Sequence, residues 1–292
     1  MRLLLSLVLV SLSAVTASSQ TVTPLWNGPA PQSHGTGPND TPTITSFLPA
    51  DATAPTSAIL ICPGGAYAML AGAYEGANEA KYFQAHGVAA FVLKYRLPTK
   101  GYRHPVPMLD VQRALRLIRS HAADWKLDPA KIGVMGFSAG GHLASTLDTH
   151  FDAGDPQATD PVDQVSCRPD FAVLVYPVIT LQESFTHEGT KTNLLGPNPD
   201  PALVKSLSNE TQVTPQTPPT LLVHAADDDG VPIANSRSMH AALQKAGVAS
   251  ELHEYPEGGH GFGHGPNDYN TNEPAGWLDK AYAWIESQGF VS

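Results

Sequence analysis

Short apolar runs alternate with stretches of helical periodicity along most of the chain. The runs span four to six residues and stop at glycine, proline or polar residues, as buried strands do. Between the runs, apolar residues recur every three or four positions, which is the spacing of an amphipathic helix. This pattern predicts strands at 58–62, 88–93, 131–136, 171–176 and 221–224, and the more polar residues 251–255 are predicted to form a further strand. It predicts helices at 77–85, 109–122, 140–147, 233–246 and 277–287.

The regular alternation of strands and helices predicts an α/β fold. In such a fold a mostly parallel central sheet is covered by helices on both faces, and ligands bind beyond the carboxyl ends of the strands. Residues 24–57 are rich in Pro, Gly and Thr and are predicted to be extended, with one edge strand at 44–48. The Pro-rich stretch 177–219 is predicted to be irregular. We expect a single domain over residues 18–292.

Residues 1–17 have the pattern of an export signal. Arg2 is the only charge, residues 3–10 are apolar, and residues 15–17 (Val-Thr-Ala) suit a cleavage site. Serines interrupt the apolar run, which is shorter than the ~20 residues that a membrane-spanning helix needs. We therefore expect a secreted or periplasmic protein with no membrane attachment after cleavage.

The charge balance narrows the choice of partners. The 292-residue chain has 27 acidic and 17 basic residues and a net charge of −10, which disfavours nucleic acid and anionic membrane surfaces. Neutral substrates such as sugars and their esters stay open.

The two cysteines, Cys62 and Cys167, are better explained as buried thiols than as a disulfide, although an exported protein permits one. Three arginines at 113, 116 and 119 are expected to form a solvated or salt-bridged face.

A Gly-x-Ser-x-Gly motif spans residues 136–140 and centres on Ser138. A predicted strand precedes it and a predicted helix follows it, which is the context of a nucleophile elbow. The turn exposes the serine hydroxyl near a helix N-terminus, where the helix dipole favours a developing negative charge. Ser138 is therefore the predicted nucleophile.

A serine nucleophile needs a base, and the base needs a carboxylate that orients it. In elbow-type hydrolases the chain order is serine, acid, histidine. Here Asp227, Asp228 and Asp229 follow one predicted strand and His260 follows the next. We predict His260 as the base and Asp228 as the acid, with Asp227 as the alternative.

The glycine-rich residues 63–67 directly follow the first buried strand. A loop there can direct backbone N–H groups at the oxyanion of a tetrahedral intermediate. We expect Gly65, Ala66 or both to donate, together with the N–H of Ala139.

His260 and His264 are four residues apart, but the Gly-Phe-Gly between them disfavours helical metal-ligand geometry. No metal or other cofactor is expected.

Taken together, these segments resemble the secreted carbohydrate esterases of the α/β-hydrolase fold that are grouped as bifunctional acetyl-xylan and feruloyl esterases and sometimes labelled xylanases. The segments that carry the resemblance are CPGGAY (62–67), YEG (74–76), LKYRLP (93–98), HPVPMLD (104–110), GFSAGGHLA (136–144), HAADD (224–228), VP (231–232) and GGHGFG (258–263).

The resemblance implies a triad of Ser138, His260 and Asp228 that hydrolyses acetyl or feruloyl esters on plant-wall polysaccharides such as xylan. The chain departs from the family pattern at Ala66, where glycine is usual. The stretch 177–219 has no clear counterpart and is expected to line the acyl or sugar pocket. Substrate choice is thus the least constrained part of the prediction.

Four other functions stay open on the sequence. A general carboxylesterase or a prolyl-oligopeptidase-like peptidase would use the same elbow, although the ~120 residues before the serine leave no room for a gating domain. A carbohydrate-binding protein with a dead site would also keep the fold. A glycosidase needs two carboxylates that flank a sugar cleft, and no motif indicates such a pair. The sequence does not indicate an oligomeric state.

Overall fold

Eight strands form one sheet in the computed structural model, which describes residues 20–50 and 54–291. The predicted signal segment, residues 1–17, lies outside the described residues. The strands are β1 (Thr21–Pro24), β2 (Thr43–Phe47), β3 (Thr56–Cys62), β4 (Ala89–Lys94), β5 (Leu127–Phe137), β6 (Ala172–Val175), β7 (Thr220–Ala225) and β8 (Ser250–Tyr255).

The strand order across the sheet is β1-β2-β4-β3-β5-β6-β7-β8. All pairs from β4 to β8 are parallel, whereas β2 is antiparallel to both β1 and β4. The predicted mostly parallel sheet is thus confirmed. The strand predicted at 44–48 is present as β2, but its predicted edge position is wrong, because β1 pairs with the outer side of β2. β1 escaped prediction because its four residues, Thr-Val-Thr-Pro, are largely exposed and carry no apolar periodicity.

Helices cover both faces of the sheet. Buried side chains of α2, α3 and α6 pack in one apolar cluster, and those of α1 and α7 pack in another. The helices of the described residues include α1 (Asn78–Ala85), α2 (Val106–Ser120), α3 (Ser138–Thr149), α4 (Glu188–Leu195), α5 (Pro201–Ser206), α6 (Ala234–Lys245) and α7 (Trp277–Ser287).

Alternate residues of the central strands supply the two cores. Leu60 and Val134 lie in the cluster with α2, while Ile59 and Met135 lie in the cluster with α1. Side chains of successive strand residues point to opposite faces, so a strand covered on both sides is apolar throughout. This explains why β3, β5, β6 and β7 were predictable as continuous apolar runs.

The stretch 177–219 is not wholly irregular, because it contains α4 and α5. Both helices are short, eight and six residues, and only two of their residues are fully buried. Weak burial leaves little apolar periodicity to detect. α2 begins at Val106 rather than at 109, with Pro107 accommodated in its first turn.

The arginine stripe of α2 is salt-bridged, as expected. Arg113 binds two carboxylates, and Arg116 and Arg119 bind one each; the partners are Asp160, Asp163, Asp152 and Asp170. Both cysteines are buried free thiols. None of the helices within 20–50 and 54–291 has the length and hydropathy of a membrane span.

Candidate active site

Three parallel strands bring the predicted reactive residues to one edge of the sheet. Ser138 directly follows β5, Asp228 lies three residues after β7, and His260 lies five residues after β8. Since β5, β6, β7 and β8 are parallel neighbours, their carboxyl ends meet at the same edge. The sheet therefore brings together residues that are 122 positions apart in the chain.

The turn at Ser138 is a strained strand-to-helix junction. Ser138 has φ +50°, which a residue other than glycine rarely adopts, and α3 begins at Ser138 itself rather than at the predicted 140. A Cβ on Gly140 would lie 2.2 Å from the carbonyl oxygen of Cys62, so only glycine lets the helix pass so close to β3. A Cβ on Gly136 would lie 2.3 Å from the carbonyl oxygen of Gly140.

Ser138, His260 and Asp228 form a continuous chain of hydrogen bonds. Ser138 Oγ lies 2.8 Å from His260 Nε2, and His260 Nδ1 lies 2.8 Å from Asp228 Oδ2. Burial alone would raise the pKa of Asp228, but hydrogen bonds from His224 and His260 outweigh it and lower that pKa. Since the ionised carboxylate only accepts, His260 Nδ1 carries a proton, and Nε2 is left to accept the proton of the serine hydroxyl.

The geometry also separates the two candidate aspartates. Asp228 is buried, and its Oδ1 accepts from the N–H groups of Gly230 at 2.9 Å and Val231 at 2.7 Å. Asp227 is exposed and accepts instead from the Gly259 N–H at 2.8 Å. The structure therefore places Asp228 against His260, whereas Asp227 binds the backbone of the loop that carries His260.

Within the predicted stretch 63–67, residues 64–67, which we define as the oxyanion loop, have an unusual backbone. Gly65, Ala66 and Tyr67 have φ of +120°, +53° and +57°. The carbonyl of Gly65 accepts from the N–H groups of Ala68 at 2.8 Å and Met69 at 3.1 Å. This fixes the peptide that also carries the Ala66 N–H. Gly65 and Ala66 line the same cavity as Ser138, while the role of their N–H groups stays a prediction.

Ala139 occupies the first turn of α3, where backbone N–H groups lack intrahelical partners. Its N–H therefore makes no hydrogen bond within the helix, as an oxyanion donor requires.

Strained backbone conformations cluster around the site. Six residues other than glycine have positive φ within the described chain, and four of them surround the site: Ala66, Tyr67, Ser138 and Tyr176. Such strain persists only where the surrounding structure enforces it, typically at functional sites.

A cavity of about 360 Å³ opens at Ser138. This volume is near the lower end of the range for small-molecule sites. Its lining includes His187, from the stretch that was expected to contribute to the pocket, and Met69 and Tyr269. These two are 58% and 68% exposed, and they are two of the three exposed large apolar side chains in the described chain.

Several residues of the site were not singled out from the sequence. Glu75 lines the cavity, and the Tyr176 ring lies edge-on to His260 with ring centroids 5.0 Å apart. His224 Nε2 lies 2.9 Å from the Val231 carbonyl and 3.2 Å from Asp228 Oδ2, so it supports the acid. Glu75 and His224 lie in the segments YEG and HAADD, which carry the family resemblance. No local sequence pattern predicts which residues these two side chains contact.

His264 does not pair with His260. Its Nδ1 lies 2.7 Å from Glu273 Oε1, and the Gly265 N–H donates to the other oxygen of that carboxylate. No group of three or more potential ligand side chains is arranged to hold a metal ion in residues 20–50 and 54–291.

Comparison with known proteins adds a family to this geometry. The family model described as BD-FAE matches residues 45–243. The chain belongs to this family. The resemblance to carbohydrate esterases that the sequence indicated is thus confirmed.

Two curated relatives cover much of the chain. The acetylxylan esterase of Xylanibacter ruminicola is 37% identical over 80% of this chain and 47% of its own length. Endo-1,4-beta-xylanase B of Butyrivibrio fibrisolvens is 36% identical over 70% of this chain and 32% of its own length. The chain therefore spans about half and about a third of these two relatives.

Solved structures match nearly end to end. The acetyl ester-xyloside bifunctional hydrolase of Caldicellulosiruptor lactoaceticus has a TM-score of 0.85 and 42% identity, covering 93% of this chain and 97% of that one. The propionate-bound thermophilic esterase Est2 of Thermogutta terrifontis has a TM-score of 0.72 and 27% identity, covering 91% and 96%. These matches confirm the predicted α/β-hydrolase fold.

Proposed function

We propose that this chain is a serine carboxylic-ester hydrolase. The observation that carries the proposal is the hydrogen-bonded chain from Ser138 through His260 to Asp228 at the mouth of a cavity. This arrangement activates a serine for attack on a carbonyl. The esterase names of the acetylxylan esterase and of Est2 support the same class of reaction.

The proposed reaction passes through an acyl-enzyme. Ser138 Oγ attacks the ester carbonyl while His260 Nε2 takes the serine proton, and Asp228 stabilises the resulting imidazolium. The N–H groups of Gly65, Ala66 and Ala139 are the proposed donors to the oxyanion. The tetrahedral intermediate collapses, the C–O bond to the alcohol breaks, and His260 protonates the departing alkoxide. Water, deprotonated by the same imidazole, then releases the carboxylic acid and restores the serine.

The proposed substrate is an acetylated plant-wall polysaccharide such as xylan. A cavity of about 360 Å³ suits a short acyl group, and feruloyl is the larger alternative. The exposed side chains of Met69 and Tyr269 flank the cavity, where the sugar that carries the ester would lie. An aromatic ring held at a rim offers an apolar face to the C–H groups of a sugar. The named activity of the Xylanibacter relative supports this choice.

The test is release of acetate and ferulate from native acetylated arabinoxylan, with wild type and Ser138→Ala compared side by side. We expect acetate from wild type and a decrease in kcat on the order of 10⁶ in the variant. Ferulate alone would make the enzyme a feruloyl esterase. Release of neither, with an aryl acetate still cleaved, would refute the xylan assignment but keep the esterase. Activity retained by Ser138→Ala would refute both.

We also propose that residues 1–17 direct export and are then removed. The support is the single charge at Arg2, the apolar run after it and the small residues at 15–17. Expression of the full chain in a bacterial host, followed by N-terminal sequencing of the periplasmic and medium fractions, tests this. Recovery only in the cytoplasm with residue 2 still present would refute export.

A further inference from the structure

One buried carboxylate at the cavity has no part in the proposed reaction. Glu75 is only 3% exposed and lines the cavity together with Ser138 and His260. It lies in the kinked segment Ala73–Ala77, which precedes α1 and in which the Asn78 N–H bonds to the Ala73 carbonyl five residues earlier. Within that segment Glu75 alone has non-helical angles, φ −125° and ψ 29°. Helical segments with bonds of this wider spacing are frequent at functional sites.

The two oxygens of Glu75 accept hydrogen bonds from two different parts of the site. Oε2 accepts from the Gly64 N–H at 2.9 Å, and Gly64 begins the oxyanion loop. Oε1 accepts from the Tyr176 hydroxyl at 2.9 Å. The same hydroxyl oxygen accepts from the Gly263 N–H at 3.0 Å. Gly263 ends the histidine loop, which we define as residues 258–263. A single carboxylate thus connects the loop proposed to hold the oxyanion with the loop that carries the base.

The two donors to Glu75, the Gly64 N–H and the Tyr176 hydroxyl, are buried and cannot bond to solvent instead. A Cβ on Gly64 would lie 2.7 Å from Glu75 Oε2 and 2.7 Å from the Phe137 carbonyl oxygen, so the oxyanion loop is clamped between the carboxylate and the elbow. Tyr176 is fully buried and itself has φ +35°. Loss of the acceptor would leave a buried N–H and a buried hydroxyl without a hydrogen-bond partner, which the folded site tolerates poorly.

We propose that Glu75 is a positioning residue that sets the distance between the oxyanion donors and His260. The inference rests on the proposed function, since it concerns the machinery of that reaction. Glu75 acts through Gly64 and through Tyr176, and it exchanges no proton with the substrate. Displacement of the oxyanion loop would weaken hydrogen bonds that form only in the transition state, so the effect falls on kcat rather than on KM.

The experiment compares steady-state hydrolysis of an aryl acetate by wild type, Glu75→Ala and Glu75→Gln. For Glu75→Ala we expect kcat to fall about 10²-fold, the cost of losing one oxyanion donor, with KM changed less than about threefold. Glu75→Gln should recover at least about tenfold of that loss, because its amide oxygen accepts from Gly64 and its amide nitrogen donates to the Tyr176 oxygen. Rescue by an isosteric, uncharged side chain is the mark of positioning.

Glu79 provides the matched control. It is fully buried one helical turn further along the chain, yet it is not among the cavity-lining residues of the described chain. Glu79→Gln should keep kcat within about threefold of wild type. If Glu75→Ala does not fold, Tyr176→Phe tests the same link, because it breaks the connection to the Gly263 N–H and leaves the Gly64 bond. We expect kcat of Tyr176→Phe to fall about tenfold at constant KM.

Three results would overturn the proposal: a kcat of Glu75→Ala within threefold of wild type, Glu75→Gln as impaired as Glu75→Ala, or equal losses in the Glu75→Ala and Glu79→Gln variants. A parallel Ser138→Ala sample separates this failure from that of the proposed function. An inactive Ser138→Ala beside a fully active Glu75→Ala refutes only the role of Glu75. An active Ser138→Ala refutes the proposed function itself.

Discussion

Replacement of Asp228 by asparagine should invert the proton arrangement on His260. Oδ1 of Asp228 accepts from two backbone N–H groups, those of Gly230 and Val231, at 2.9 and 2.7 Å. The asparagine oxygen must stay there, because the flipped amide would place its NH₂ against two donors. The NH₂ therefore faces His260 Nδ1, which must then accept. The imidazole proton moves to Nε2, where it faces Ser138 Oγ.

The magnitude follows from this change of tautomer. An imidazole protonated at Nε2 cannot take the serine proton, although all side chains stay in place. The loss should resemble that of serine hydrolases with the same defect, about 10⁴ in kcat, which corresponds to about 5 kcal/mol in activation free energy. The folded state should change little, since His224 Nε2 keeps the Val231 carbonyl at 2.9 Å and loses only its longer contact of 3.2 Å with position 228.

The assay is aryl acetate hydrolysis at neutral pH, with the thermal unfolding temperature measured on the same samples. Asp227→Asn is the matched control, because its amide oxygen still accepts from the Gly259 N–H. We expect that control to stay within about threefold of wild type. A decrease of less than tenfold in Asp228→Asn would refute the assigned role, as would equal losses in the two variants.

Three further predictions concern the folded state. Gly140→Ala should lower the free energy of unfolding in urea by more than about 3 kcal/mol, since its Cβ would meet the Cys62 carbonyl at 2.2 Å. Gly28 has open space around it, so Gly28→Ala should change that free energy by less than about 0.5 kcal/mol. Equal values for the two variants would contradict the packing argument. Burial lowers the pKa of His142 to about 4 from 6.5, so stability should fall as pH drops from 6.5 towards 4, by up to about 3 kcal/mol, and His142→Gln should flatten this dependence. Cys62 and Cys167 are buried thiols with raised pKa values, so a thiol reagent should modify both only after denaturation; rapid labelling of the native protein would contradict this.

Local patterns predicted the parts of the fold that burial makes regular. The central strands are covered on both faces, so their apolar runs are visible without any knowledge of their neighbours. β1 and α5 have no fully buried residue, and the sequence lacks a signal for both of them. The late start predicted for α2 has a different cause, because Pro105 and Pro107 at the start of this helix give the sequence the pattern of a loop.

The candidate triad was predictable because chain order and strand ends constrain it. Ser138 and Asp228 each follow an apolar strand, His260 follows the more polar strand β8, and parallel strands must end together. The contacts of Glu75 were not predictable. Its partners Gly64 and Tyr176 are 11 and 101 residues away, and only the kinked segment Ala73–Ala77 brings its carboxylate to them. The sequence favoured Asp228 but left Asp227 as the alternative, and the loop conformation places Asp228 against His260 and Asp227 against the Gly259 N–H.

The position of β8 has a consequence for inactivation by heat. Among the described strands, β8 pairs only with β7, at the margin of the sheet. None of its residues is fully buried, whereas the elbow strand β5 is central. Elements with little buried surface open locally at a lower free energy than the core does. Detachment of β8 would carry His260 away while the elbow stays folded. On heating, enzymatic activity should therefore disappear several degrees before the far-ultraviolet circular dichroism of the sheet, and brief heating followed by cooling should restore it.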